Sequence, residues 1–184
     1  MADEFDYRRY WKAGLSWNEF RSGGIRKNRE LWEGVYRKTR IPDWAVERMT
    51  ELGVHVRLLV IAEDWCGDAA NTVPLFVRFS EAVPGLELRI VKRDEHPELM
   101  DRHLTNGSRS IPIVIALDAS DEPMAVWGPR PAELQKFVIG EKQAGSRPTG
   151  DIYRDARRWY ARDRGETTLR EFLDCIAAPV ATGG

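Results

Sequence analysis

Cysteine is scarce in this chain: Cys66 and Cys175 are the only two in 184 residues. A disulfide-stapled secreted scaffold is small and cysteine-dense, so that class is excluded. The two cysteines and His55, His96 and His103 show neither C-x-x-C nor H-x-x-x-H spacing, so no metal site and no cofactor are expected. An excess of one charge is also missing, with 28 Lys and Arg against 29 Asp and Glu. A phosphate-tracking surface needs a concentrated positive face, so no nucleic-acid partner is expected. No apolar run approaches the ~20 residues that span a bilayer. The opening stretch MADEFDYRRYWKAGLSWNEF is charged and lacks the apolar core of a signal peptide. The expectation is therefore a chain with no membrane partner, located in the cytoplasm.

What is present is an ordinary globular composition, 42% hydrophobic and 31% charged. The length suits one domain, or a smaller domain with decorations. Residues 1–42 read as an amphipathic helical extension carrying Trp11, Trp17 and Trp32. Its rings are expected to pack on the main domain, with a partner groove as the sharper reading. Ser16 and Glu19 fit a capping box, and Ser22-Gly23-Gly24 reads as a break. Residues 43–140 read as an α/β unit. A helix from Asp43 ends near Gly53, and the apolar runs Val54–Ala62, Leu86–Asp94, Ser110–Asp118 and Met124–Gly128 read as strands. A helix interrupted by Pro74 follows the first strand, a helix over 96–104 follows the second, and one over 131–139 follows the last. Residues 140–150 read as a linker, and 141–184 as a C-terminal helical extension packed on the domain, with arginines such as Arg154, Arg157 and Arg158 on a solvated face.

Cys66 sits where a strand turns directly into a helix, in the sequence EDWCGD. Unpaired N–H groups and the helix dipole favour a thiolate there, by about 0.3–1 kcal/mol when exposed. Glu63, Asp64 and Asp68 oppose that effect, so the expected thiol is only modestly more acidic than a free one.

The stretch LLVIAEDWCGDAANTVP resembles the active-site strand, turn and helix of thioredoxins, with Trp65, Cys66 and Gly67 on the W-C-G of their motif and Pro74 on the helix-kinking proline. RIVKRDEHPEL resembles their Asp-x-x-Pro strand end, and RSIPIVIALD the segment with the cis-proline that faces the active-site cysteine. Gly128 falls on the glycine after the last strand. The resemblance spans roughly residues 43–140. It implies a thioredoxin-like fold, a central mixed sheet flanked by helices, here with N- and C-terminal helical extensions. It also implies a cis bond at Ile111–Pro112, with Ile111 and Pro112 beside bound substrate. The sequence departs at Asp68, where the motif proline would stand, at Ala69, where the second cysteine would stand, and at Val60, where the buried acid would stand. The first strand of the fold is not evident. The resemblance is thus to a bacterial single-cysteine branch marked by W-C-G-D-A.

Two functions compete. In the first, Cys66 forms mixed disulfides with a thiol-containing protein or a low-molecular-weight thiol, flanked by Trp65, Gly67, Asp68 and Pro112, with Ile111 and Arg109 on the substrate. Arg109 would meet a substrate carboxylate or pair with Asp68. In the second, the fold is a non-catalytic interaction module. A peroxidase lacks its Ser or Thr before the cysteine here, and a C-G-F-S iron–sulfur carrier is not matched by C-G-D-A. Cys175, beside Phe172 and Ile176, reads as a packing residue, with a distal resolving thiol as the alternative.

Overall fold

The computed structural model describes residues 5–181. Its centre is a four-stranded sheet in the order β2-β1-β3-β4, built from β1 (Arg57–Ala62), β2 (Glu87–Lys92), β3 (Ile113–Leu117) and β4 (Pro123–Trp127). Strand β1 runs parallel to β2 and antiparallel to β3, and β3 pairs antiparallel with β4. Side chains alternate across a strand, so one apolar run feeds two cores. Leu58, Val60, Ala62, Val114 and Ala116 enter the larger core. Leu59, Ile61, Ile113, Ile115 and Leu117 enter the other. Burial on both faces explains why these strands read as continuous apolar runs rather than alternating ones.

The larger core is covered by α5 (Gly67–Ala82) and α9 (Glu166–Ala181), whose Phe76 and Phe172 meet edge-on at 4.9 Å between ring centroids. The second core is closed by α1 (Tyr7–Ala13) and α6 (Pro97–Asp101), through Tyr10, Trp11, Leu99 and Met100. Helix α6 and the short 3-10 turn Arg93–Glu95 replace the longer helix expected over 96–104. Helix α4 (Asp43–Glu51) ends at the expected place, with Gly53 just beyond it in the left-handed region at φ 61°.

Beyond α1, the N-terminal segment is part of the larger core. The Ser16 hydroxyl accepts the Glu19 N–H and the Glu19 carboxylate accepts the Ser16 N–H, closing the capping box at the start of α2 (Trp17–Glu19). Where the glycines suggested a break, Phe20–Gly24 form a π turn. Helix α3 (Arg29–Lys38) then lies on α5, and Trp17, Phe20, Ile25 and Trp32 are all buried. The strand missing from the sequence pattern is reduced to one bridge, in which Leu15 and Ile90 exchange N–H···O bonds of 2.8 Å.

After β4 the chain passes Gly128, at φ 127°, where a Cβ would run into the Pro112 carbonyl oxygen. Helix α7 (Ala132–Ala144) continues through residues that read as linker, and only 145–148 separate it from α8 (Thr149–Asp163). Leu134, Val138, Ile152 and Ala156 zip the two into a hairpin with a small core of its own. The glycine at 140 and the polar run after it hid this extension, because α7 buries only a narrow apolar stripe.

Candidate functional site

Strand β1 delivers the turn Glu63–Trp65 to the start of α5, and Cys66 is the residue that caps this helix. Its sulfur accepts the Ala69 N–H at 3.5 Å, and its thiol points at the Ile111 carbonyl oxygen, also at 3.5 Å. The Ile111–Pro112 bond is cis, as is Gly128–Pro129. Pro112 itself is buried. Trp65 is 41% exposed beside the sulfur, with the Arg93 guanidinium 4.8 Å from its ring centroid. Gly67 opens the helix, and a Cβ there would meet open space.

The electrostatics reverse one expectation. Burial pushes the Cys66 thiol above its ordinary pKa, the Ala69 N–H pulls it down, and the Asp68 charge pushes it up again, with Arg130 opposing. Desolvation therefore outweighs the helix-terminus effect, and the resting group is a neutral thiol. The three carboxylates do not crowd the sulfur as the sequence suggested. Glu63 turns to the Asp94 N–H at 2.9 Å, and burial raises its own pKa. Asp64 accepts the N–H groups of Arg26 and Lys27, each at 2.7 Å. Only Asp68 acts on the thiol. It is 7% exposed, ion-paired with Arg130 at 2.6 Å, and accepts the Tyr160 hydroxyl at 2.9 Å. Burial, then the Asp68 charge, pushes the Tyr160 phenol well above its ordinary pKa, so it stays a donor.

Trp65, Cys66, Gly67, Asp68, Arg130 and Tyr160 line one cleft of about 690 Å³. One wall is the Trp65–Asp68 turn with the 105–111 loop that leads into Ile111. The other is the α7–α8 hairpin, with Gln135, Lys142, Tyr153, Arg157 and Tyr160. The volume falls in the usual range for small-molecule sites, roughly 300–1,000 Å³. Arg109 lines the cleft but is held by Asp101 through two bonds of 2.7 and 2.8 Å. It does not pair with Asp68, because Arg130 occupies that carboxylate. Among the described residues, no group of three or more His, Cys, Asp or Glu is placed to hold a metal ion, and no helix is long and apolar enough to cross a membrane.

A family model described as thioredoxin matches residues 14–145. The chain belongs to the thioredoxin family. The α/β fold, with its mixed sheet flanked by helices, agrees with that membership. No curated protein matches this thioredoxin-family chain. Among solved structures it is similar to a protein of unknown function from Pseudomonas aeruginosa, with 20% identity and a TM-score of 0.73 over 95% of this chain and 99% of that one. It is also similar to an HIV epitope-scaffold, with 18% identity and a TM-score of 0.69 over 98% of this chain and 100% of that one. At such identities these likenesses speak to fold. The family match begins well before residue 43, in keeping with the buried aromatic residues of the N-terminal segment.

Of the residues singled out from sequence, Trp65, Cys66, Gly67, Asp68, Arg109 and Ile111 come together on the cleft, while Pro112, next in the chain, is buried. Cys175 lies in α9 against the larger core, and both cysteines are free thiols. His103 hydrogen-bonds Tyr7 at 3.1 Å, in contact with α1 rather than with Cys66. Sequence reasoning missed Arg130, Tyr160, Lys142 and Asn28. The one local signal for Arg130 is its place between Pro129 and Pro131, which fixes the chain on either side.

Proposed function

We propose that this protein is a single-cysteine thioredoxin-fold redox protein that works by forming a mixed disulfide on Cys66. The observation that carries the reading is the placement of the sulfur. It caps α5, faces the carbonyl of Ile111, and stands on the wall of an open cleft of small-molecule size. In the step, the Cys66 sulfur attacks one sulfur of a substrate disulfide. The Sγ–S bond forms, the substrate S–S bond breaks, and the proton given up by Cys66 ends, through solvent, on the departing thiol. Ala69 replaces the resolving cysteine, so release requires a second low-molecular-weight thiol. That thiol attacks the mixed disulfide, leaves as a new disulfide and returns Cys66 to its reduced form. The neutral resting thiol sets a slow basal rate, because the thiolate is the attacking species.

A second reading, a non-catalytic interaction module, is favoured by that same raised pKa and by the thiol's hydrogen bond to Ile111. Reduction of a neutral disulfide by a small thiol, followed in the presence of the wild-type protein and of Cys66→Ser, separates the two. Loss of all protein-dependent turnover in Cys66→Ser supports exchange at Cys66. Equal turnover in both proteins, or none in either, supports the interaction module.

A further inference from the structure

The two walls of the cleft carry an unequal set of charges. Arg93, Arg109, Arg130, Lys142 and Arg157 line it, against Asp68 as the one carboxylate. Asp68 is itself buried against Arg130 and Tyr160, so the Asp68 and Arg130 charges offset one another and the excess rests on Arg93, Arg109, Lys142 and Arg157. The α7–α8 hairpin shows the imbalance most clearly. Away from the cleft, Arg147 is paired with Glu141 and Asp155, Arg154 with Asp151, and Arg158 with Asp155. On the cleft, among the described residues, neither Lys142 nor Arg157 has a carboxylate within 4.0 Å. Lys142 is held in place without being neutralised. Its ammonium donates to the Tyr153 hydroxyl at 2.7 Å and lies 4.8 Å from the ring centroid. On the opposite wall, Arg93 and Arg109 pair with half-exposed carboxylates of Asp94 and Asp101, beside the uncharged donors Asn106, Ser108 and Ser110.

We infer that the cleft admits a small disulfide or thiol bearing two or more anionic groups, and that Lys142 and Arg157 select it by charge. This rests on the reading of Cys66 as the exchange nucleophile. A concave site lined by one sign of charge focuses its field and raises the local concentration and encounter rate of the opposite sign, by about 10-fold to 1,000-fold. The cleft is sized for a small molecule, and the sulfur belongs to the wall that also carries Arg93 and Arg109, across from the hairpin with Lys142 and Arg157. A ligand that reaches Cys66 with its sulfur thereby brings flanking carboxylates or phosphates to Arg109 on one side and to Lys142 and Arg157 on the other. Tyr153, Arg157 and Tyr160 lie beyond the segment that matches the family, which ends at residue 145. Lys142 lies inside that segment, so the selecting pair is completed only by α8.

The test compares the rate of mixed-disulfide formation on Cys66 with three small linear disulfides of similar size: 3,3'-dithiodipropionate (anionic), hydroxyethyl disulfide (neutral) and cystamine (cationic). Each rate is divided by that of free cysteine with the same probe. The expected order at low salt is anionic, neutral, cationic, with about tenfold or more between the first and last, and salt compresses it. Lys142→Gln with Arg157→Gln collapses the anionic-to-neutral ratio toward one, and Lys142→Glu with Arg157→Glu inverts it. Equal normalised rates in the wild type, or a preference unmoved in the double variants, overturn the inference and leave exchange at Cys66 standing. If no probe reacts, the exchange reading falls, and calorimetric binding of S-methylglutathione decides the charge site by itself. Binding that the double variants abolish upholds the anion site, and absence of binding in the wild type overturns it.

Discussion

Asp64 and Asp68 stand two residues to either side of Cys66, and the fold uses them in opposite ways. Asp64 faces the N-terminal segment. Its carboxylate accepts two backbone N–H groups, from Arg26 and Lys27, while its own carbonyl accepts the Trp32 indole N–H at 3.0 Å. Asn28 adds a bond to the Trp65 carbonyl at 3.1 Å. Asp68 faces the C-terminal hairpin and is satisfied by side chains, Arg130 and Tyr160. One carboxylate thus fastens the turn with backbone amides that carry no net charge. The other does so with a buried ion pair, and that pair reaches the thiol. The comparison teaches that the two terminal segments are the two jaws that hold the WCGD turn. Of the two aspartates, only Asp68, with its partner Arg130, bears on the thiol's electrostatics.

The sharpest way to break this contrast is to neutralise Asp68. Asp68→Asn leaves the Arg130 guanidinium buried without its counter-charge, and unfolding stability is expected to fall by about 3 kcal/mol. The same change removes a negative charge beside Cys66, so the thiol pKa falls. Alkylation of the wild type is expected to go on accelerating above the pH at which free cysteine levels off. In Asp68→Asn that profile moves to lower pH. Denaturant melts and the pH profile of alkylation check both parts, and a profile that moves up or stays fixed removes Asp68 from the account of the thiol. A smaller effect is expected across the turn. Asp64→Asn weakens two charge-assisted bonds on a surface-facing segment and costs about 1–2 kcal/mol. Amide exchange at residues 26 and 27 speeds up, while the Cys66 profile stays where it was. A shift in that profile equal to that of Asp68→Asn would erase the distinction between the jaws.

The two jaws also differ in how far the sequence disclosed them. The strands, α5 with its proline, and the turn with Cys66 were legible, because runs of Val, Ile and Leu and a W-C-G turn point to one local structure. The packing role of Trp17 and Trp32 was legible too, from aromatic residues at helical spacing. The polar jaw was not. Arg130, Tyr160 and Asp68 are separated by 62 and 92 residues in the chain, and no local pattern pairs a turn aspartate with a distant arginine. Arg109 looked closer to the site but is claimed by Asp101 within its own loop. The direction of the thiol shift was missed for a related reason. The helix terminus is visible in sequence, whereas the burial of the sulfur against both sheet cores is a tertiary effect.

The central claim is that chemistry, where it occurs, occurs at Cys66 and leaves Cys175 aside. The direct measurement is intact and peptide mass analysis of the reduced protein after incubation with a small disulfide at slightly alkaline pH. The account predicts one adduct, on Cys66, removed by added thiol. An adduct on Cys175 alone, or a bridge between the two cysteines, contradicts it.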